Sequence, residues 1–132
     1  MNKLMATITV LFFCFILWVI YMADTGQGTA FFDFVKSFPL GDKAGHIFLF
    51  GLLTFGANVS TQFRKIRIRS MHIHAGTLMV SLFVLIEEGS QYFISTRTVD
   101  ITDLAADAIG ITIFTLASCI IGTKHTIEHR GY

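Results

Sequence analysis

Two adjacent glutamates follow a long apolar run in the second half of the chain. The run MVSLFVLI at positions 79–86 leads directly into Glu87 and Glu88, and Gln91 follows one helical turn later. On a helix, the side chains at these three positions share one broad face. Paired carboxylates can act as general acid and base, accept hydrogen bonds from an amine or a sugar, or bind a divalent cation.

Further acidic residues recur at helical spacing in the next segment. Asp100, Asp103, Asp107 and Gly110 are separated by three, four and three residues. This spacing predicts a single acidic stripe along a helix whose other faces are apolar.

A third polar group precedes both of these. Asp42, Lys43 and His46 open an apolar segment, and Arg97 lies between the glutamates and the acidic stripe. Acidic residues outnumber Lys43 and Arg97 in the combined set. In a low-dielectric setting the carboxyl groups cannot all ionise, so we expect at least one of them to stay protonated.

The composition indicates the solvent in which these groups lie. The 132 residues are 53% hydrophobic and only 14% charged, whereas soluble domains are usually about 25% charged. The mean hydropathy is +0.65. This balance favours a membrane protein, and the net charge of +1 does not suit a nucleic-acid-binding surface.

Four apolar segments predict four membrane-spanning helices, over residues 4–22, 44–59, 71–93 and 104–121. We expect the first to be retained as a span and not cleaved as a signal peptide, because its apolar run is long and Tyr21 stands where a small residue is usual. Between the first two, Phe31, Phe34, Val35 and Phe38 predict a short amphipathic helix in the interface. The alternative is a loop whose phenylalanines pack on the helices.

The fold prediction is therefore an all-α, integral membrane four-helix bundle with a short interfacial helix, forming one domain over residues 1–132. Both termini are predicted to be cytoplasmic, because seven Lys and Arg residues then lie inside and three outside. The inside set is Lys3, Arg64, Lys65, Arg67, Arg69, Lys124 and Arg130, and the outside set is Lys36, Lys43 and Arg97. We interpret the basic segment 64–69 as a topology determinant that contacts anionic lipids of the bilayer.

This topology brings all three polar groups to the extracytoplasmic side. A charged side chain at mid-membrane costs roughly 2.5–3.5 kcal/mol on insertion scales, so these groups should face one another or a wet cavity. The sequence therefore predicts a shared polar pocket. Its candidate ligand-binding residues are Asp42, Lys43, His46, Glu87, Glu88, Gln91, Arg97, Asp103 and Asp107.

The order of these motifs resembles that of the VanZ-like membrane proteins. Their pattern is D-K-x-x-H, then D-E-x-x-Q, an Arg, and D-x-x-x-N-x-x-G, and the similarity spans residues 42–110. Glu87 stands where the family often has Asp, and Asp107 stands where Asn is common. The resemblance implies a small multi-pass protein of the bacterial cytoplasmic (inner) membrane. The founding member of the family is associated with teicoplanin resistance.

Three functions are consistent with such a pocket. The first is binding of an envelope-related ligand: a sugar, an amine or a lipid headgroup. A cell-wall lipid intermediate or a glycopeptide would be the ligand that the resemblance implies. The second is a structural lock, in which the polar groups only hold the helices together. The third is an enzyme that uses carboxylate and His acid–base chemistry, or a divalent metal held by His46 with Glu88, Asp103 or Asp107. The sequence predicts no other cofactor and no nucleic-acid partner.

Overall fold

The computed structural model describes residues 2–27 and 30–130, and most of them are helical. Two of the helices, α1 and the Ile101–His125 part of α5, are long and apolar enough to cross a membrane. In chain order the elements are α1 (Lys3–Asp24), α2 (Ala30–Lys36), α3 (Gly41–Ser60), β1 (Lys65–Ile68), β2 (Met71–His74), α4 (Ala75–Ser90), a 3₁₀ turn (Gln91–Phe93) and α5 (Ile101–Arg130).

The ends of the helices follow from local chemistry. The side chain of Asn2 accepts a hydrogen bond from the Met5 amide at 3.3 Å and so caps the start of α1. Gly26, with φ of 68°, supplies the left-handed backbone that turns the chain just after α1. Asp100 caps α5, because its Oδ1 accepts from the amide of Thr102 at 2.9 Å.

Helix α3 lies at the centre and contacts α1, α4 and α5. The apolar core consists of side chains from these four helices: Ile16, Phe50, Leu53, Val80, Val84 and Ile111. Phe13 of α1 and Phe83 of α4 also meet edge to face, with ring centroids 5.0 Å apart. Thr9 near the start of α1 contacts Ser60 at the end of α3, and Cys119 of α5 contacts His74 of the hairpin. The start of α1, the hairpin and the later part of α5 therefore lie at one end.

A buried asparagine joins three helices near that end. Asn58 of α3 donates to the hydroxyl groups of Thr77 at 3.0 Å and Ser118 at 3.2 Å, and its carbonyl oxygen accepts from the Thr77 amide at 2.9 Å. Its side chain is fully buried. With every one of its polar atoms engaged, Asn58 fixes the relative heights of α3, α4 and α5.

Polar side chains share the interior with the apolar core, and many large apolar side chains lie outside. The largest fully buried side chains are Ile16 and five polar ones: Gln91, Asn58, Thr54, Asp107 and Ser118. Large apolar side chains are exposed on the longer helices, among them Leu4 at 71% and Ile86 at 70% of their surface. So many buried polar and exposed apolar side chains are unusual for a small domain in water.

The all-α prediction is wrong at residues 65–68 and 71–74, which pair as an antiparallel hairpin. The third span was predicted over residues 71–93, but the α-helix in this region, α4, begins four residues later, at Ala75, and ends at Ser90. The physical reason is alternation: Lys65, Ile66, Arg67 and Ile68 repeat with a period of two, which suits a strand. The other three predicted spans lie within α1, α3 and α5, and each of these helices extends beyond the predicted bounds.

The hairpin has one apolar face and one basic face. Its register pairs Ile66 with Ile73 and Ile68 with Met71, which places these four side chains on the same face. Lys65, Arg67, His72 and His74 occupy the other face. A two-residue connection, with Arg69 at φ of 55°, closes the hairpin.

The short helix predicted between the first two long helices is present as α2. It ends at Lys36, so that Phe38 lies beyond it, and the side chain of Phe31 lies outside the described part. Phe34 and Phe38 are both more than half exposed and meet edge to face, with ring centroids 5.1 Å apart. The two rings form an exposed aromatic pair beside the start of α3.

At Gly110 the backbone of α5 lies in close contact with the backbone of α3. A Cβ there would collide with the backbone carbonyl oxygen of Ile47, whereas a Cβ on Gly89 would meet nothing within 4 Å. We expect Gly110→Ala to lower the free energy of unfolding by about 1–3 kcal/mol through overpacking. Gly89→Ala should be neutral or stabilising by up to about 1 kcal/mol, through helix propensity. Thermal unfolding of the two purified variants checks this, and equal stability would contradict the close approach.

Candidate functional site

A polar cluster lies where α1 and α4 end and where α3 and α5 begin. Its outer layer is centred on Lys43, whose ammonium group contacts Asp103 directly and lies 3.0 Å from Asp100 Oδ2 and 3.5 Å from Asp42 Oδ2. The hydroxyl and amide of Thr102, together with Lys43, lower the pKa of Asp100 to about 2. One cation therefore pairs with acids from both α3 and the start of α5.

The inner layer consists of His46, Glu88 and Asp107, one residue from each of α3, α4 and α5. His46 Nδ1 lies 2.8 Å from Asp107 Oδ1, and one potential ligand atom from each of the three residues lies within 4.8 Å of the others. Asp107 is fully buried, and Glu88 is exposed over only 5% of its surface. The inner layer is therefore a shielded group of one imidazole and two carboxyl groups.

Glu87 and Gln91 lie beside the inner layer on α4 and the following 3₁₀ turn. Gln91 donates from Nε2 to Glu87 Oε1 at 2.9 Å, as their spacing of four residues suggests. The side chains of both residues are buried. They form a pair within one segment and not a bridge between helices.

Several buried oxygen atoms of this region have no hydrogen-bond partner within residues 2–27 and 30–130. They are Glu87 Oε2, Glu88 Oε1 and Oε2, Gln91 Oε1 and Asp107 Oδ2. A buried acceptor without a donor costs about 1–3 kcal/mol, and more if it is charged. A hydrogen bond between the Glu88 and Asp107 carboxyl groups, which share a proton, satisfies part of this set. The remaining acceptors have no donor among the described residues.

A cavity of about 520 Å³ adjoins these groups. The predicted site residues that line it are Asp42, His46, Glu87, Arg97 and Asp103. The apolar part of its wall comes from α1, with Ile16, Val19 and Ile20, and from residues of α2 and α3, among them Leu49 and Phe50. Lys43, Glu88, Gln91 and Asp107 do not line the cavity, so they form its supporting layer.

Arg97 lines the cavity but is paired with an acid that the sequence did not single out. Its Nη1 lies 3.3 Å from Asp24 Oδ1, at the end of α1, and the neighbouring Thr96 donates its hydroxyl to the Asp24 carbonyl oxygen. Asp33 and Lys36 of α2 also line the cavity. The available signal for Asp24 was its position as the first charged residue after the apolar run that begins at Leu4.

Comparison with known proteins found no matching family model, no similar curated protein and no similar solved structure. The resemblance to the VanZ-like proteins therefore stays a prediction.

The coupling of Lys43 to its acids can be measured in two double-mutant cycles. Asp103 is 11% exposed at its side chain and touches Lys43, whereas Asp42 is 63% exposed and 3.5 Å away. We expect Lys43→Met and Asp103→Asn to show a coupling energy of about 0.5–3 kcal/mol in unfolding. The cycle with Asp42→Asn should give less than about 0.5 kcal/mol, because water screens that pair. Equal coupling in the two cycles would contradict this division of the outer layer.

Proposed function

We propose that this chain is an integral membrane protein whose four longer helices span the bilayer and whose polar pocket binds an envelope-related ligand from the extracytoplasmic side. The observation that carries the proposal is the set of buried oxygen atoms without donors beside a cavity of about 520 Å³. Such a pocket suits a ligand that is rich in hydrogen-bond donors: a sugar, an amine or a lipid headgroup.

The distribution of apolar side chains supports the membrane assignment. Trp18, Phe48, Leu82 and Ile113, from the four longer helices, are each about half exposed. In water each exposed apolar area costs roughly 25 cal/mol per Å², whereas in lipid it costs nothing comparable. The buried polar groups then lie between the helices, away from acyl chains, as intramembrane ionisable residues do.

Charge distribution supports the orientation. Lys3, Arg64, Lys65, Arg67 and Arg69 lie at the hairpin end, together with Lys124 on the last turns of α5. The positive-inside rule assigns this end to the cytoplasm, and the polar pocket to the opposite side. The apolar face of the hairpin suits the membrane interface, while its basic face suits anionic headgroups. The exposed pair Phe34 and Phe38 would occupy the other interface.

This topology predicts opposite labelling of two positions. Val99 and Met71 are 52% and 63% exposed at opposite ends of the helices. In a background that carries Cys14→Ala and Cys119→Ala, a membrane-impermeant maleimide should label Val99→Cys in intact bacteria. Met71→Cys should be labelled only after the cells are lysed. Labelling of both variants in intact cells, or recovery of the chain in the soluble fraction, would contradict the proposed topology.

The charge balance favours a donor ligand over an anion. Asp42, Asp100 and Asp103 share a single lysine, and the carboxyl groups of Glu87 and Glu88 are not paired with any lysine or arginine within residues 2–27 and 30–130. A bare phosphate would be repelled, whereas hydroxyl and ammonium groups would supply the missing donors. A cell-wall lipid intermediate or a glycopeptide has such groups, and a link to glycopeptide resistance would follow from the resemblance to VanZ-like proteins.

A purely structural role explains only the outer layer. Lys43 with its acids, and Arg97 with Asp24, join helices through satisfied contacts. The same role leaves the second oxygen of Glu87 and the amide oxygen of Gln91 without donors among the described residues, which would weaken the packing that a lock should strengthen. Of the residues with unsatisfied oxygens, Glu87 lines the cavity, and a bound ligand would supply the donor that it lacks.

Filling the cavity without changing any charge tests the binding proposal. Gly45 lines the cavity, and a Cβ there would meet nothing within 4 Å. Native mass spectrometry of the wild-type protein from a mild membrane extract should show a co-purifying adduct. We expect Gly45→Phe to reduce the occupancy of that adduct at least tenfold, because the ring occupies the cavity.

The matched control is Gly89→Phe, since Gly89 is exposed, has open space around it and does not line the cavity. This variant should keep the adduct at the wild-type level. A wild-type protein without an adduct, or an adduct retained equally by both variants, would overturn the assignment of the cavity as the ligand pocket.

A further inference from the structure

We infer that His46, Glu88 and Asp107 form a binding site for one divalent transition-metal ion at the inner side of the pocket. The inference goes beyond the proposed ligand and does not require it. It rests on the geometry, the charge and the unsatisfied oxygens of these three residues.

The distances suit a shared ion. Zn²⁺ and similar ions bind nitrogen and carboxylate oxygen at about 2.0–2.2 Å, so ligand atoms of a tetrahedral site lie roughly 3.3–3.6 Å apart. His46 Nδ1 and Asp107 Oδ1 are 2.8 Å apart, and the ligand atom of Glu88 lies within 4.8 Å of both other residues. Small side-chain rotations would bring the three atoms onto one ion.

The buried carboxyl oxygens of the inner layer are suited to bind a cation. Asp107 is fully buried, and Glu88 is 95% withdrawn from solvent. These two carboxyl groups hydrogen-bond to each other only by sharing a proton, and that single bond leaves an oxygen of Glu88 without a donor within residues 2–27 and 30–130. The imidazole of His46 reaches only one of these carboxyl groups. A divalent cation would neutralise both carboxylates and occupy their free lone pairs at once.

A second group of potential ligands lies nearby and is less suitable. Asp42, His46 and Asp103 also bring ligand atoms within 4.8 Å of one another. However, Asp103 and Asp42 already have a cation, the ammonium group of Lys43, and Asp42 is exposed. A metal there would compete with Lys43, whereas one between Glu88 and Asp107 would have no such competitor.

The chemistry of the ligands narrows the class of ion. One imidazole with two carboxylates suits Zn²⁺ or Mn²⁺, whereas Mg²⁺ and Ca²⁺ prefer oxygen alone. Three protein ligands leave at least one coordination position open. Because His46 also lines the cavity, that position can be taken by an oxygen atom of a molecule in the pocket.

Metal analysis of the purified full chain tests the site. The protein is prepared without a polyhistidine tag, stripped with a chelator, and titrated with ZnCl₂ and separately with MnCl₂. We expect one equivalent of either ion to bind the wild type, with at least tenfold weaker binding in Glu88→Gln and in Asp107→Asn. Both substitutions preserve shape, and size-exclusion profiles identify any variant that does not fold.

Two matched controls locate the site. Glu87→Gln alters the neighbouring glutamate but no ligand atom of the cluster, and Asp103→Asn alters the competing group. Each should bind the ion as the wild type does. If the wild-type chain binds neither ion, that result alone overturns the inference. Loss of binding in Asp103→Asn with retention in Glu88→Gln overturns it as well.

The outcome is separable from that of the ligand proposal. Gly45→Phe fills the cavity but leaves His46, Glu88 and Asp107 in place, so this variant should lose the adduct and keep the metal. A wild type with metal and no adduct would support the metal site alone, and the reverse result would support the ligand pocket alone.

Discussion

The close approach of α3 and α5 is the constraint on which the rest of the structure depends. At Gly110 the absence of a side chain lets α5 lie against the backbone of Ile47, and at Gly51 the ring of Phe114 occupies the space that a Cβ would need. Helix backbones that approach this closely bring opposing side chains within direct contact. Consequently His46 meets Asp107, and Lys43 meets Asp103, without long or mobile connections.

The two ends of this contact have different polar chemistry. At the hairpin end, Asn58 meets Thr77 and Ser118 in a neutral network in which every side-chain atom of the asparagine has a partner. At the other end, charged groups accumulate and several of their oxygens stay unsatisfied. A satisfied neutral network is what helix packing requires. The unsatisfied acidic end is costly for packing alone, and that cost is the physical argument for a ligand and for an ion.

The acidic residues at this end form two layers, an outer one around Lys43 and a more deeply buried inner one. The outer acids share Lys43 and border water or the cavity, so their charges are partly compensated and partly screened. The inner carboxyl groups of Glu88 and Asp107 are withdrawn from solvent and have one imidazole between them. Residues with the same side-chain chemistry therefore lie in different surroundings: the outer layer joins α3 to α5, and the inner layer is the candidate binding site.

Much of this arrangement was predictable from the sequence. Apolar runs of sufficient length identified α1, α3 and α5, because such a run can be recognised in the sequence without knowledge of its tertiary contacts. Their spacing predicted that Asp103 and Asp107, and likewise Glu87, Glu88 and Gln91, share a helix face. Asp103 and Asp107 both lie on α5, whereas Gln91 lies in the 3₁₀ turn that follows α4. The hairpin was missed because four residues of alternation are a weak signal beside the long apolar run that follows. Asn58 was missed because a single polar residue gives no periodic pattern.

Only the tertiary structure decided which of these groups meet. Spacing along a helix fixes the face of a side chain but not the rotation of that helix against its neighbours. Thus the sequence could not show whether Arg97 pairs with the glutamates or with Asp24. Nor could it show which acids pair with Lys43 and which, as Glu88 and Asp107 do, lie in the inner layer. The sequence by itself determined the inventory of polar residues and the helices that carry them. Packing at Gly110, Gly51 and Asn58 determined their partners, because helix rotation and depth are set by contacts between distant parts of the chain.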